Sequence, residues 1–225
     1  GVIGADAAAA LAGLDSAGIP GQELFYEHVH LTVWGNFSLA RILAGPVAEA
    51  LPDSITAAGG IRPMAEEVDA CERRLAVTVW DEKRIWDVAL ARISVPPFNT
   101  QSSHPRNKRY CTYRMREVDS RTTPETSEKD RQMYLNALER EPGDTQVRWN
   151  YAQFLERTGS IPQAIDQGEI ICDYLPHAPW PHYFVGSLMA KTGRVPEATL
   201  YLKRALRIDR NSSHARQELE QIQAR

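Results

Sequence analysis

Apolar positions along the chain fall into helix-spaced stripes separated by turns, loops and proline breaks. Ala5 to Asp15 reads as a helix that ends at Gly18, and Ile19-Pro20-Gly21 is a turn signal, since Pro and Gly preset backbone angles. Gln22 to Thr32 is a loop rich in aromatics and histidine. Thr32 can cap a helix from Val33 to Leu51, stopped by Pro52. Its apolar positions Leu39, Ile42, Leu43, Val47 and Leu51 keep helical spacing, which predicts one buried face. Pro63 to Ala76 is a further helical stretch with Met64, Val68, Cys71 and Leu75 as its stripe. Thr78 to Asp81 is its end and a turn, and Glu82 to Ile93 returns to helix with Ile85, Val88, Ala89 and Arg92 on one side. Val95 to Asn107, broken by Pro96, Pro97 and Pro105, is expected to be extended or irregular. Gly1-Val2-Ile3-Gly4 has the look of the end of a short buried strand, and the further strands of an α/β domain do not follow it.

From about residue 108 the pattern acquires a long period. Gly159-Ser-Ile-Pro-Gln-Ala164 recurs as Gly193-Arg-Val-Pro-Glu-Ala198, 34 residues on. Tyr151 then aligns with Val185, Ala152 with Gly186, Leu155 with Met189 and Ile171 with Ala205. Small residues at 152/186 and 164/198 let paired helices approach, and large ones such as Leu155 and Leu202 fill the spaces between. This spacing resembles the tetratricopeptide repeat, whose period is 34 residues. Pro176 stands where that family places its closing proline, and Arg210 stands there in the next repeat. One period upstream, Tyr134, Ala137, Leu138 and Pro142 match a second helix, whose first helix near Arg109 to Val118 matches poorly. Ser213 to Arg225, with Leu219 at the packing position, resembles a closing, solvating helix. The resemblance covers roughly half the chain and implies an α-solenoid that docks peptides or proteins.

Composition narrows the classes. The 225 residues carry 26 Lys+Arg against 29 Asp+Glu, a formal charge of -3, which does not suit a strongly basic nucleic-acid binder. No apolar run approaches the roughly 20 residues that span a bilayer. The Ala-rich stretch from Ala5 to Leu14 lacks a basic leader and does not read as a signal peptide. Cys71, Cys111 and Cys172 are far apart, with no CxxC pair, so neither a zinc site nor a disulfide framework is expected.

The segment that carries candidate chemistry is Phe25-Tyr-Glu27-His28-Val-His30-Leu31-Thr32-Val-Trp-Gly35-Asn36-Phe37. It places an acid three residues before a histidine, then Leu-Thr and a Gly-Asn entry into an amphipathic helix. This resembles the last block of the SGNH (GDSL-type) hydrolases, an acid-x-x-His pair followed by Leu-Thr-x-x-Gly and a C-terminal helix. The family more often has Asp where this chain has Glu27. The resemblance implies that His30 is the general base for a serine hydroxyl and that Glu27 holds the imidazole in one tautomer and stabilises its charged form. It covers about residues 1 to 51. The family's Gly-Asp-Ser nucleophile block is missing, and Gly143-Asp144-Thr145 lies in a repeat turn. The chain is therefore expected to be the C-terminal piece of something larger and to show little esterase activity alone.

Other readings bear on the same residues. His28 and His30 alternate and, with Glu27, could ligate a metal, but no further ligand is near; neither metal nor cofactor is expected. The basic run Arg106, Lys108, Arg109, Arg114 and Arg116, interleaved with Tyr110 and Tyr113, could meet phosphate but fits a solvated helical face better. Pro96 to His104 is a candidate rim of the active site. Trp149, Tyr151, Trp180, Tyr183 and Tyr201 fall at repeat spacing, as core residues or, on a concave face, as peptide contacts. The expected organisation is a mainly α protein. Residues 1–52 form a remnant of an α/β SGNH-like domain, 53–107 a helical connector, and 108–225 the repeats. The expected function is the acid/histidine part of an ester hydrolase fused to a protein-interaction module, with no nucleic-acid partner; the alternative is a non-enzymatic repeat scaffold. Compartment is left open, with a bacterial, membrane-anchored or extracytoplasmic parent compatible with the resemblance.

Overall fold

A computed structural model describes residues 3–27, 29–55 and 67–224. The chain divides into two compact units, Gly1–Ser127 and Glu128–Arg225. Among the described residues regular structure is helical, with one isolated antiparallel bridge between Phe25 and Leu31 in place of a sheet. No helix among them is long and apolar enough to cross a membrane. Ile3 and Gly4 are exposed and not in a strand, so the expected strand end is not formed there; Gly1 and Val2 lie outside the described residues.

In the first unit, α1 (Ala7–Ala12) is shorter than its Ala-rich run suggests. Asp6 caps it by accepting from the Ala9 amide at 2.9 Å. Helix α2 (Val33–Ala50) starts at the predicted cap: Thr32 Oγ1 accepts from the Gly35 amide at 2.9 Å. None of its expected apolar positions is buried: Leu39, Ile42 and Leu51 are half-buried and Leu43 and Val47 exposed, while Gly35, Phe37 and Ser38 near the N-terminal end are the buried residues. Helix α3 (Val68–Arg74) falls inside the predicted Pro63–Ala76 stretch, of which residues 63–66, including Met64, lie outside the described residues.

Thr78 to Asp81, expected to be a turn, instead opens α4 (Val79–Ile93). Thr78 accepts from the Asp81 amide and Asp81 accepts back from the Thr78 amide, a reciprocal capping box. The Val95–Asn107 stretch contains a short 3-10 turn, Phe98–Thr100, and already enters α5 (His104–Arg121) with a proline in its first turn, where no amide donor is needed. Helices α4 and α5 pack on each other around Trp86, Ala89, Ile93, Cys111 and Val118. The predicted stripe Ile85, Val88, Ala89, Arg92 is corrected accordingly: Ala89 alone of the four is buried. The Trp86 indole carries more apolar area than any of them, and its burial sets the rotation of the helix.

The second unit takes α6 (Pro124–Arg140) from Glu128 on, then α7 (Thr145–Arg157), α8 (Ile161–Tyr174), α9 (Pro179–Lys191), α10 (Val195–Ile208) and α11 (Ser213–Gln223). Helices α7 and α9 start 34 residues apart and end 34 apart; α8 and α10 do the same. The turns repeat in detail. Gly159 and Gly193 both take a left-handed φ, 82° and 79°, that a side chain would resist. Behind them the Ser160 amide donates to Leu155 at 2.8 Å and the Arg194 amide to Met189 at 2.9 Å, the same helix-ending bond. Ala152, Ala164 and Ala198 are fully buried, and a Cβ on Gly186 would lie 2.9 Å from Leu202 Cγ. Close helix approach therefore depends on the small residues at these positions.

A second set of bonds keeps the same register. Arg148 donates to the Pro142 carbonyl at 2.7 Å, His182 to the Pro176 carbonyl at 3.4 Å and Arg216 to the Arg210 carbonyl at 2.5 Å. In each repeat a basic side chain thus ties down the turn six residues before it. Arg210 stands in the family's proline position without loss of this tie, because the bond uses the backbone oxygen.

Candidate functional site

The loop from Leu24 to Thr32 turns back on itself. The Tyr26 amide donates to the His30 carbonyl at 2.8 Å and the Thr32 amide to the Leu24 carbonyl at 2.9 Å. Thr32 Oγ1 donates to the Glu23 carbonyl at 2.8 Å while accepting from Gly35, so one hydroxyl joins the loop to α2. Gly35 is required for this closure: a Cβ there would stand 2.3 Å from the Leu24 carbonyl oxygen. Tyr26, next to the acid, meets Trp86 edge-to-face at 5.0 Å, and Trp86 meets Tyr110 at 5.7 Å. Burial, with Glu82 nearby, pushes the Tyr26 phenol up to about 12, so it stays neutral.

The folded-back loop brings Glu27 and His30 together. Glu27 Oε1 accepts a hydrogen bond from His30 Nδ1, and Oε2 accepts from the Val29 amide at 3.1 Å. The Glu27 side chain is 2% exposed and that of His30 is 54% exposed, so a buried acid anchors an imidazole that faces solvent. Bonding at Nδ1 puts the ring's acceptor lone pair on Nε2, the tautomer a general base needs. His28 lies outside the described residues.

Arg92 completes the cluster from α4. Its Nη1 lies 3.5 Å from Glu27 Oε1 and 2.9 and 2.8 Å from the two imidazole nitrogens. With Nδ1 donating to Glu27, the acceptor on the ring is Nε2, and the Arg92 Nη1 donates to it. A buried carboxylate needs compensating partners, and the imidazole N–H and the Arg92 guanidinium supply them. A cavity of about 260 Å³ opens beside the imidazole. Leu31, Ile85, Val88 and Ala89 form its apolar wall, and Tyr26, Glu27, Arg84 and Arg92 complete the lining. Pro96 to His104, the expected rim, does not line it; Phe98 packs on the Trp86 cluster. The residues expected as a buried stripe of α4 form that wall, because Trp86 occupies the core side of the helix.

The basic run on α5 behaves as a helical face. Arg106, Lys108, Arg109 and Arg116 are exposed, while Arg114 lies 5.2 Å over Trp86 and pairs with Glu82 at 3.2 Å and Glu117 at 3.0 Å. Asp144 of the discounted Gly143-Asp144-Thr145 triplet caps α7, accepting from the Gln146 and Val147 amides at 3.0 and 2.9 Å.

In the second unit the aromatic residues divide. Tyr151 is core, packed near Tyr134 and Phe154. Trp149 meets Trp180 at 4.6 Å, and one repeat later Tyr183 meets His214 at 6.1 Å. Position 149 is to 180 as 183 is to 214, so the pair recurs with the period. Trp180 remains 38% exposed. Lys191 and Glu156 bond at 2.7 Å and Ser187 donates to Glu218 at 3.0 Å between the same helices.

No family model matches the chain, and no curated protein does. Among solved structures the chain is similar to the first TPR of Spaghetti (RPAP3) bound to HSP90 peptide SRMEEVD. The two are 16% identical with a TM-score of 0.41, over 44% of this chain and 78% of that one. No SGNH domain emerges from the comparisons or from the described helices.

Proposed function

We propose that residues 128–225 form a tetratricopeptide-type module that docks an extended peptide segment of a partner protein. The observation that carries this reading is the recurrence of the aromatic pair, Trp149/Trp180 and then Tyr183/His214, on the first helix of successive hairpins. A core role would bury such rings in full, whereas Trp180 is 38% exposed. Partly exposed aromatics on a rigid helix face are the side chains that dominate peptide contacts. The test is selection of binders from a random-peptide display library on the whole chain. Trp180→Ala is expected to weaken the selected peptides at least tenfold with helix content unchanged. Unchanged affinity would place the site elsewhere.

A second reading is favoured by the Glu27–His30 bond at an open cavity. Here the pair serves as acid and general base of an SGNH-like ester hydrolase, with the serine supplied from outside these 225 residues. General-base action of this kind contributes roughly 10² to 10⁴ in rate. The chain alone is expected to hydrolyse p-nitrophenyl acetate at background rate. A form that includes a Gly-Asp-Ser block is expected to be active and to lose that activity on His30→Ala. Full turnover by the chain alone, abolished by His30→Ala, would put the nucleophile within these residues instead.

A further inference from the structure

We infer that the cavity beside His30 is a binding site for a short aliphatic carboxylate, held by Arg92. Arg92 spends one nitrogen, Nη1, on His30 and Glu27. Its Nε and Nη2 have no partner among the described residues. Those two donors are parallel and form the edge of a guanidinium that takes a carboxylate in bidentate fashion. The Arg92 side chain is 39% exposed and lines the cavity.

The wall selects the group attached to the carboxylate. Leu31, Ile85, Val88 and Ala89 present hydrocarbon, and Val88 is 49% exposed, an apolar surface that a ligand would cover. The volume, about 260 Å³, suits a chain of a few carbons rather than a large ligand. Arg92 at one end and an apolar wall at the other match a monocarboxylate with an alkyl tail. A dianion or a sugar would leave that wall uncovered. The inference deepens the acid–base reading, in which a carboxylic acid is the product of ester cleavage, and it rests on the Glu27–His30–Arg92 arrangement without requiring turnover.

The test is titration of the whole chain with acetate, butanoate and butanol, followed through the His30 Cε1–H resonance. Butanoate is expected to shift that resonance saturably, and Arg92→Gln to weaken it at least tenfold, with Arg92→Lys in between because a lysine has the charge without the fork. Each added methylene should tighten binding by roughly fourfold, a gain that Val88→Asn should reduce. No saturable shift, equal binding of butanol, or an unchanged Arg92→Gln would overturn the site. The Nδ1 proton signal of His30 separates the two readings. If it is present while carboxylates fail to bind, the carboxylate site falls and the acid–base pair stands. If Glu27→Gln leaves that signal unchanged, the pair itself falls.

Discussion

The two units of this chain are built on opposite principles. In the second, a structural decision made within one 34-residue segment is repeated in the next: the same left-handed glycine, the same helix-ending bond, a basic side chain tied to the carbonyl six residues before it. Each hairpin needs only its neighbour, so stability is distributed along the stack. In the first, almost nothing repeats. One indole, Trp86, gathers a tyrosine from the loop, a tyrosine from α5 and an arginine, and the candidate site depends on that single cluster. A site that must place an acid, an imidazole and a guanidinium together concentrates its support, whereas a docking surface can spread it.

The largest test of that contrast is a reciprocal pair of cavity mutations. Trp86→Ala removes a side chain 1% exposed and is expected to cost about 4 kcal/mol; Leu202→Ala, fully buried, about 3 kcal/mol. Hydrogen exchange read by mass spectrometry should show Trp86→Ala opening the first unit while residues 145–223 keep their protection, and Leu202→Ala doing the reverse. Joint loss in either variant would show that the units fold as one.

Gly35→Ala comes next. Its Cβ meets a backbone oxygen, which cannot swing aside, so about 1–3 kcal/mol and the closure of the loop are expected to be lost. The His30 Nδ1 proton signal should vanish in this variant even though neither Glu27 nor His30 is changed. Persistence of the signal would mean that the loop does not need the close approach to α2.

A smaller effect is expected at Asp144→Ala, which removes the cap of α7 and should cost about 1 kcal/mol in urea unfolding. Asp144→Asn should retain most of it. If the first unit's transition moves as well, the cap does not act locally as proposed.

The smallest effect concerns pH. Burial holds the His182 imidazole below its ordinary 6.5, and its Nδ1 is buried without a partner among the described residues, so a proton added there would go unmatched. The unfolded chain takes up that proton near 6.5 and the folded one resists it. His182 therefore leaves stability intact above that value and subtracts from it as pH falls through 6.5 toward the lowered folded value. The second unit's urea midpoint should drop between about pH 7.5 and about pH 5, and His182→Gln should flatten that part of the profile. An unchanged slope would assign the acid sensitivity to other groups.

Legibility divides along the same line. The glycine turns, the small residues at 152/186 and 164/198, and the helix start at Thr32 depend on residues close in sequence, and each was readable from spacing alone. The start of α4 differs from the helix end and turn expected at Thr78 to Asp81, although Thr78 and Asp81 are a local capping signal. Arg92 was unreadable as a site residue: 62 positions separate it from His30, and its own helix suggested only a stripe.

Local periodicity carried the hairpins and the turns, since these need only backbone preferences and neighbours a few residues away; the acid-x-x-histidine spacing came with the SGNH resemblance. Which face of α4 is core, which residues wall the cavity and what caps the imidazole were settled in three dimensions. There Trp86 outcompeted smaller side chains for burial, and that competition between distant segments leaves no trace in the spacing of either one.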